Sequence, residues 1–350
     1  MPTLRTPAQL CDRNLVKSEQ RAALEAVAER YAVAVTPSLA ALIDSADADD
    51  PIARQFIPQA DELDHRPEEL ADPIGDDVHS PVEGLVHRYP DRVLLKLTPI
   101  CAVYCRFCFR REMVGPGKAN ALSPGALDAA LGYIRAHPEI WEAILTGGDP
   151  LVLSARRLRA VMTQLSGIEH VKVVRIHTRV PVADPTRVTA ELVRAMKASG
   201  KAVYVAVHVN HARELTPQVR AACARLADAG MPLLGQSVLL AGVNDTPEAL
   251  ADLLRTLVEC RIKPYYLHHA DLAPGTAHLR TDIDTGQRLM RGLRGRLSGL
   301  CQPTYVLDIP GGHGKSPIGP AYIESSGRNG AAHHTVEDFN GRRHRYPPAG

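Results

Sequence analysis

Residues 101–111 read CAVYCRFCFRR, which sets Cys101, Cys105 and Cys108 in a C-x3-C-x2-C spacing. Thiolates are ligands for soft metal centres, and four of them complete a common iron–sulfur site. With three close in sequence, a cube bound here keeps one iron open to a small chelating molecule. A structural zinc site favours two C-x2–4-C pairs, and the sequence holds no second pair. Buried, unliganded thiols would be the blander reading, but Tyr104, Arg106, Phe107, Arg110 and Arg111 make the loop too polar for it. Further on, TGGDP at 146–150 sets Gly147 and Gly148 before Asp149, and two glycines let backbone groups approach a ligand closely. A third string, PGGHGK at 310–315, leads through glycines to Lys315. A lysine that forms a Schiff base needs a neutral amine and room beside its own backbone. Alone, such a loop more often ends in a solvated lysine. A phosphate loop of the G-x4-G-K-[ST] type is excluded, because no such string runs from a strand into a helix.

These strings need elements to hold them. The 350 residues carry a net charge of +2, with 23% charged and 45% hydrophobic. That is ordinary globular composition, long enough for a large core. Balanced charge argues against a dedicated nucleic-acid binder. The longest apolar runs, such as AVYVAVHV at 202–209, are of strand length and far short of a membrane span. The first residues show no charged-then-apolar signal region. A soluble, cytoplasmic protein is expected, with neither nucleic acid nor membrane as partner. The seven cysteines are odd in number and only three cluster, so a disulfide framework is not expected. Cys223, Cys260 and Cys301 read as small buried hydrophobes.

Residues 1–92 read as an N-terminal helical extension and linker. SEQRAALEAVAERYAVAV has apolar residues at helical spacing after Ser18, a candidate cap, and an acidic, proline-broken stretch follows. From residue 93 to 303 strands alternate with helices. VLLKLTP, EAILTGG, VKVVRIHTR, AVYVAVHVN, PLLGQSVLL and KPYYLHHAD are each followed by a helical pattern. Six such units predict a parallel sheet with right-handed crossovers, curved into an incompletely closed α/β barrel. TYVLDIP at 304–310 is a candidate further strand. Residues 304–350 read as a C-terminal cap, with Asn340–Gly341 as a type I′ hairpin signal. Functional side chains are expected at the carboxyl ends of strands, where the Cys loop, TGGDP, HVNH, QSVLL and HHAD all fall.

The Cys spacing, at the end of a first barrel strand and followed by TGGDP, resembles the radical S-adenosylmethionine enzymes. HRYPDRVLL, CAVYCRFCFRR, TGGDPL, QSVLLAGVND, PYYLHHADL and YVLDIPGGHGKSP occur in that order between about residues 85 and 325, and together they resemble the lysine 2,3-aminomutase family. The resemblance implies a partial (β/α)6 radical-SAM barrel and three cofactors: a [4Fe-4S] cluster on Cys101, Cys105 and Cys108, S-adenosylmethionine, and pyridoxal 5′-phosphate (PLP). It implies that Gly147, Gly148, Asp149, His208 and Gln236 line the S-adenosylmethionine site. It makes Lys315 the Schiff-base lysine, with Arg92 toward the cofactor phosphate and Tyr89 beside it.

For the substrate, the resemblance assigns Arg110 to a carboxylate and Asp271 and Asp308 to the side-chain ammonium of lysine. Two carboxylates in one pocket repel unless a cation joins them, and a relative acting on glutamate would be expected to lose the pair. The implied reaction is an isomerisation that moves the α-amino group of L-lysine to the β-carbon through a PLP Schiff base. Another amino acid as substrate, or a non-catalytic iron–sulfur or PLP-binding protein, are the alternatives. An electron donor such as flavodoxin or ferredoxin is implied as partner. His211, His268 and His269 read as buried, hydrogen-bonded histidines rather than zinc ligands. Departures are Thr246, where a further zinc-binding Cys would be expected, no Cys-rich segment after Lys315, and Phe107 in place of a histidine. Zinc is therefore not carried over, and a homo-oligomer stays open.

Overall fold

The computed structural model describes residues 2–115, 117, 121–326 and 333–347. Helix starts are written in the residues before them. Ser123, Ser154, Thr189, Thr216, Thr246 and Asp282 each accept a hydrogen bond from the backbone N–H three residues on. This satisfies one orphan donor of the first turn. Pro124, Pro217 and Pro247 then open their helices with a preset φ and no N–H to lose. The helices run Pro124–Ala136, Ala155–Ser166, Ala190–Met196, Pro217–Asp228, Pro247–Glu259 and Ile283–Leu293. Leu250, Leu253, Leu254 and Leu257 form the buried stripe of one of them, spaced as a helix face requires. Thr246 has a plain structural task here, as that helix's cap.

The strands form one sheet in chain order: β1 (Leu85–Tyr89), β2 (Arg92–Thr98), β3 (Glu142–Gly147), β4 (Val173–Thr178), β5 (Ala202–His208), β6 (Leu233–Leu239), β7 (Ile262–His269), β8 (Thr304–Ile309) and β9 (Gly314–Pro317). β2 through β8 run parallel, while β1 and β9 pair antiparallel at the two edges. This is the α/β, partial barrel that the strand–helix rhythm predicts. TYVLDIP is a full member, the seventh parallel strand. The stretch before residue 92 supplies an edge strand, because Leu85 and Val86 have a core to enter.

Alternation along the strands decides what faces where. Val93, Leu95, Leu97, Val174, Ile176, Val203, Val205 and Val207 join the core between sheet and helices. The opposite face carries Lys96, Thr146, Arg175, His177, His208, Gln236, His268 and Asp308, so the barrel interior is polar. The two edges meet through a side chain: the Lys315 backbone N–H on β9 donates to the Tyr89 hydroxyl on β1 at 2.7 Å.

Two local expectations differ. Ser18 does not cap a helix: it opens a short 3-10 turn, and the helix begins at Arg21 with no side-chain cap. A hairpin does form between His333–Glu337 and Arg343–Tyr346, but not through a two-residue type I′ turn. Glu337 pairs with Arg343, and the loop between them is held by the Asp338 carboxylate, which accepts from Asn340 and Arg342 N–H. Gly341 has a positive φ of 78° whereas Asn340 does not, and type I′ requires both.

Candidate active site

The Cys loop leaves the end of β2, and arginines between and after its thiols anchor it. Arg106, 1% exposed, grips the buried Glu62 carboxylate from Nε at 2.9 Å and from Nη2, and its Nη1 donates to the Ala32 carbonyl at 2.9 Å. Arg111 also donates to Glu62. Its Nη1 reaches the Arg106 and Gly275 carbonyls, each at 3.0 Å, and its guanidinium lies 3.6 Å over the Tyr31 ring. Burial alone would push the Glu62 carboxyl up, but the two guanidiniums bring it below its ordinary value. An arginine between Cys105 and Cys108 therefore fixes the loop that carries the thiols.

All three thiols are pushed up by burial. Cys101 is raised further by Asp149 and by the other two thiols. Cys108 reaches about 11, with Cys105 as its second cause. Thiols that raise one another are a donor set that cations relieve, which fits a cluster. Among the described residues no three His, Cys, Asp or Glu side chains converge as a single ion requires. A multi-iron cube carries its ligands on separate irons and does not ask the sulfurs to share one.

The GGD segment docks against the same loop. Gly148 N–H donates to the Thr98 carbonyl at 2.5 Å and Asp149 N–H to the Ile100 carbonyl at 2.9 Å. A Cβ on Gly147, whose φ is 112°, would lie 2.7 Å from the Thr98 carbonyl, and one on Gly148 would lie 2.4 Å from the Ile100 carbonyl. The close approach that glycine permits here is thus to the chain's own backbone. Asp149 is buried and saturated: it accepts from Leu151 N–H at 3.0 Å, the Thr178 hydroxyl at 2.7 Å, Arg179 N–H at 2.7 Å and Val180 N–H at 3.1 Å. It ties the end of β3 to the end of β4. His208 and Gln236 are register partners on β5 and β6. The His208 ring meets Phe107 edge-on with centroids 5.5 Å apart, and among the described residues its buried Nε2 has no partner.

At the other end of the site, Lys315 Nζ lies 2.5 Å and 2.7 Å from the two Asp308 carboxylate oxygens. Burial pushes the Asp308 carboxyl up, yet His268 and Lys315 outweigh it and hold it well below its ordinary value. Asp271 has the opposite balance: burial first, then the Asp308 charge, push it up to about 7. Its Oδ1 is buried without a hydrogen-bond partner. Arg110 donates from Nε and Nη2 to Asp76 at 3.0 Å and 2.8 Å, and Arg88 reaches the same carboxylate at 3.1 Å. Two guanidiniums on one carboxylate leave a net positive charge for an incoming anion. Arg110 also lowers both the Cys101 thiol and the Asp271 carboxyl, so its charge acts on both the cluster loop and the acid pair.

The glycine-rich loop before Lys315 is built, not slack. Gly311, Gly312 and Gly314 have φ of 83°, 85° and 88°. A Cβ on Gly75 would lie 2.4 Å from Gly312 N, and His79 Nε2 is 2.9 Å from the Gly312 carbonyl. Arg92 stacks 3.9 Å over Tyr89 and pairs with Asp91 at 2.6 Å, at the amino end of β2.

Two family models match the chain. Residues 95–254 match the Radical SAM superfamily model and residues 290–347 the Lysine-2,3-aminomutase model. An L-lysine 2,3-aminomutase of Clostridium subterminale is 43% identical over 311 residues, covering 89% of this chain and 74% of that one. The chain belongs to the lysine 2,3-aminomutase family. An L-lysine 2,3-aminomutase of Acetoanaerobium sticklandii is 44% identical over 85% of this chain and 71% of its own. A glutamate 2,3-aminomutase of Clostridioides difficile is 38% identical over 89% and 73%. Family members are radical-SAM isomerases, and membership implies a [4Fe-4S] cluster, S-adenosylmethionine and PLP. Among the described residues no helix is long and apolar enough to cross a membrane.

Sequence reasoning missed several residues of this site. His268 was expected to be a buried, hydrogen-bonded histidine, and its Nδ1 does lie 3.6 Å from Asp308 Oδ2; its place beside the acid pair is what the sequence did not show. His269 follows the same expectation, bonded at 2.8 Å to the Tyr305 hydroxyl. His177 on β4 has a buried, unpartnered Nε2, and burial, then Arg175 and Lys315, push it well below its ordinary value. Asp76 and Glu62 lie in the acidic, proline-broken stretch, and Arg88 lies on β1 within HRYPDRVLL, where it was not singled out. The clearest available signal was HHAD, which sets His268 three residues before Asp271.

Proposed function

We propose that this chain moves the α-amino group of L-lysine to its β-carbon, giving β-lysine. One observation carries the substrate: a buried pair of carboxylates, Asp308 with a primary ammonium already seated on it and Asp271 with an unpartnered oxygen. Removing water and adding a second negative charge keeps Asp271 partly protonated. A cationic side-chain end would reverse that, whereas the carboxylate of glutamate would add a third charge of the same sign.

Cys101, Cys105 and Cys108 would hold the cluster. The backbone of Gly147 and Gly148, with His208 and Gln236, would line S-adenosylmethionine, while Asp149 acts by fixing the loop. Lys315, Arg92 and Tyr89 would hold PLP. When bound, these groups supply hydrogen-atom abstraction by a carbon radical and a conjugated ring that delocalises the unpaired electron. The chain's own work is placement. Arg110 takes the substrate carboxylate, Asp308 and Asp271 take the far ammonium, and the distance between them selects chain length. Tyr89 fixes the backbone of Lys315, and the dry interior protects a radical from quenching. A low-potential donor such as flavodoxin or ferredoxin supplies the electron, in the cytoplasm; a homo-oligomer is compatible with this reading.

The test is anaerobic incubation of reconstituted protein with S-adenosylmethionine, PLP, dithionite and either L-lysine or L-glutamate. β-Lysine from the lysine arm alone is expected. Turnover of glutamate in preference to lysine, or a sample with zinc in place of iron, overturns the proposal.

A further inference from the structure

Arg179 belongs to none of the motifs that mark this family in the sequence. It follows β4 directly and is 6% exposed. Its Nη1 donates to Cys105 Sγ at 3.4 Å. Its Nη2 donates to Gln55 Oε1 at 2.9 Å and to Glu214 Oε2 at 2.5 Å. The guanidinium lies 4.7 Å over the Phe56 ring and 5.5 Å over Phe107. Glu214 is itself fully buried, and its other oxygen accepts from Gln55 Nε2 and from the Asn210 and His211 N–H groups. The fork cannot turn away, so one N–H stays aimed at a sulfur that carries iron when the cluster is bound.

A hydrogen bond to a ligating sulfur withdraws electron density from it, and a charge in dry surroundings acts over a few ångströms with little screening. Both effects favour an added electron on the cluster. We propose that Arg179 raises the reduction potential of the [4Fe-4S] cluster through this bond, and that Glu214 opposes it as counter-charge. The step is a one-electron reduction of the 2+ cluster to 1+ by a low-potential donor, with no bond broken and no proton lost from Arg179. Arg179 is a positioning residue toward the cluster. The inference rests on the reading of Cys105 as a cluster ligand.

The experiment is an anaerobic redox titration of the reconstituted full chain with dithionite, followed by electron paramagnetic resonance. Wild type is compared with Arg179→Gln, Arg179→Lys and Glu214→Gln, with iron content checked for each. Arg179→Gln is expected to lower the midpoint, so that the ratio of reduced to oxidised cluster at a fixed potential falls about tenfold, or about 59 mV for one electron. Arg179→Lys, which keeps the charge but loses the fork, is expected to fall less. Glu214→Gln is expected to rise. A fully loaded Arg179→Gln with an unchanged or higher midpoint overturns the proposal. If that variant does not load, Glu214→Gln decides: a rise supports the counter-charge, and no rise overturns it. A wild-type sample that binds no cluster is a different failure, that of the cysteine reading itself.

Discussion

The two ends of the site treat buried charge in opposite ways. Around the Cys loop the charges that hold the backbone are matched within the chain: Glu62 is shared by Arg106 and Arg111, Glu214 by Arg179 and Gln55, and Asp149 by four donors. Around Lys315 the matching is incomplete: Asp308 is paired with Lys315 itself. Asp271 keeps an orphan oxygen, and so does His177 its Nε2. Removing one member of a buried pair is costly because the other is stranded, so the first region is rigid before any ligand arrives. In the second, the stranded groups are those a ligand would satisfy. A cluster must be gripped permanently, whereas a substrate must enter and leave.

The sharpest break falls on the reactive amine. Lys315→Ala is expected to cut turnover by more than about 10³-fold, the scale for removing a member of a unit that acts together, and to abolish the absorption band of the lysine-bound cofactor. A variant that keeps both would make the two ends equivalent scaffolds. Glu62→Gln strands two buried guanidiniums and is expected to cost about 3–5 kcal/mol, read as a lower denaturant midpoint together with loss of iron. Asp308→Asn should leave the fold and the cluster intact but lower kcat/KM for lysine by about 10–100-fold, the scale of a lost charge-assisted contact. Equal losses of iron in these two variants would erase the contrast.

Gly75→Ala tests the loop between the regions. Its φ is 67° and a Cβ there would meet Gly312 backbone. A loss of about 1–3 kcal/mol is expected, with poorer cofactor retention but unchanged iron content. The smallest effect concerns pH. Burial and the Asp308 charge raise Asp271 in the folded chain to about 7, well above the ordinary carboxylate range. The native state therefore holds a proton that the unfolded chain has lost. Stability from this group falls as pH rises from about 4 to about 7 and is flat above that. Lysine binding should improve over the upper part of the same interval as Asp271 ionises. Asp271→Asn is expected to flatten both profiles.

Chemistry carried by a short contiguous string was legible in the sequence. The three cysteines stand out by their spacing, whereas TGGDP and PGGHGK take their meaning from their place in the order of motifs. The strand rhythm was legible for a similar reason, since each apolar run and the helical pattern after it are contiguous. What escaped were residues whose meaning lies across the barrel. Asp76 becomes a partner of Arg110 only when residues 34 apart meet, and Arg179 reaches Cys105 across 74. Glu62 sits in a proline-broken acidic stretch, where exposure is the sensible expectation, yet it is fully buried. The glycines of GGD were found, but their task of letting β3 close on residues 98–100 depends on backbone atoms that no residue type reveals.

The hydroxyl of Tyr89 joins the first strand of the sheet to the last across 226 residues. Contacts so far apart form after local ones, because chain entropy must first be overcome. β9 pairs with its neighbour β8 through the short turn between Ile309 and Gly314, so the strand bearing the reactive amine has a local partner, and only its tie to β1 spans the chain. Closing that tie is what turns an open row of strands into a vessel with the reactive amine held in its seam.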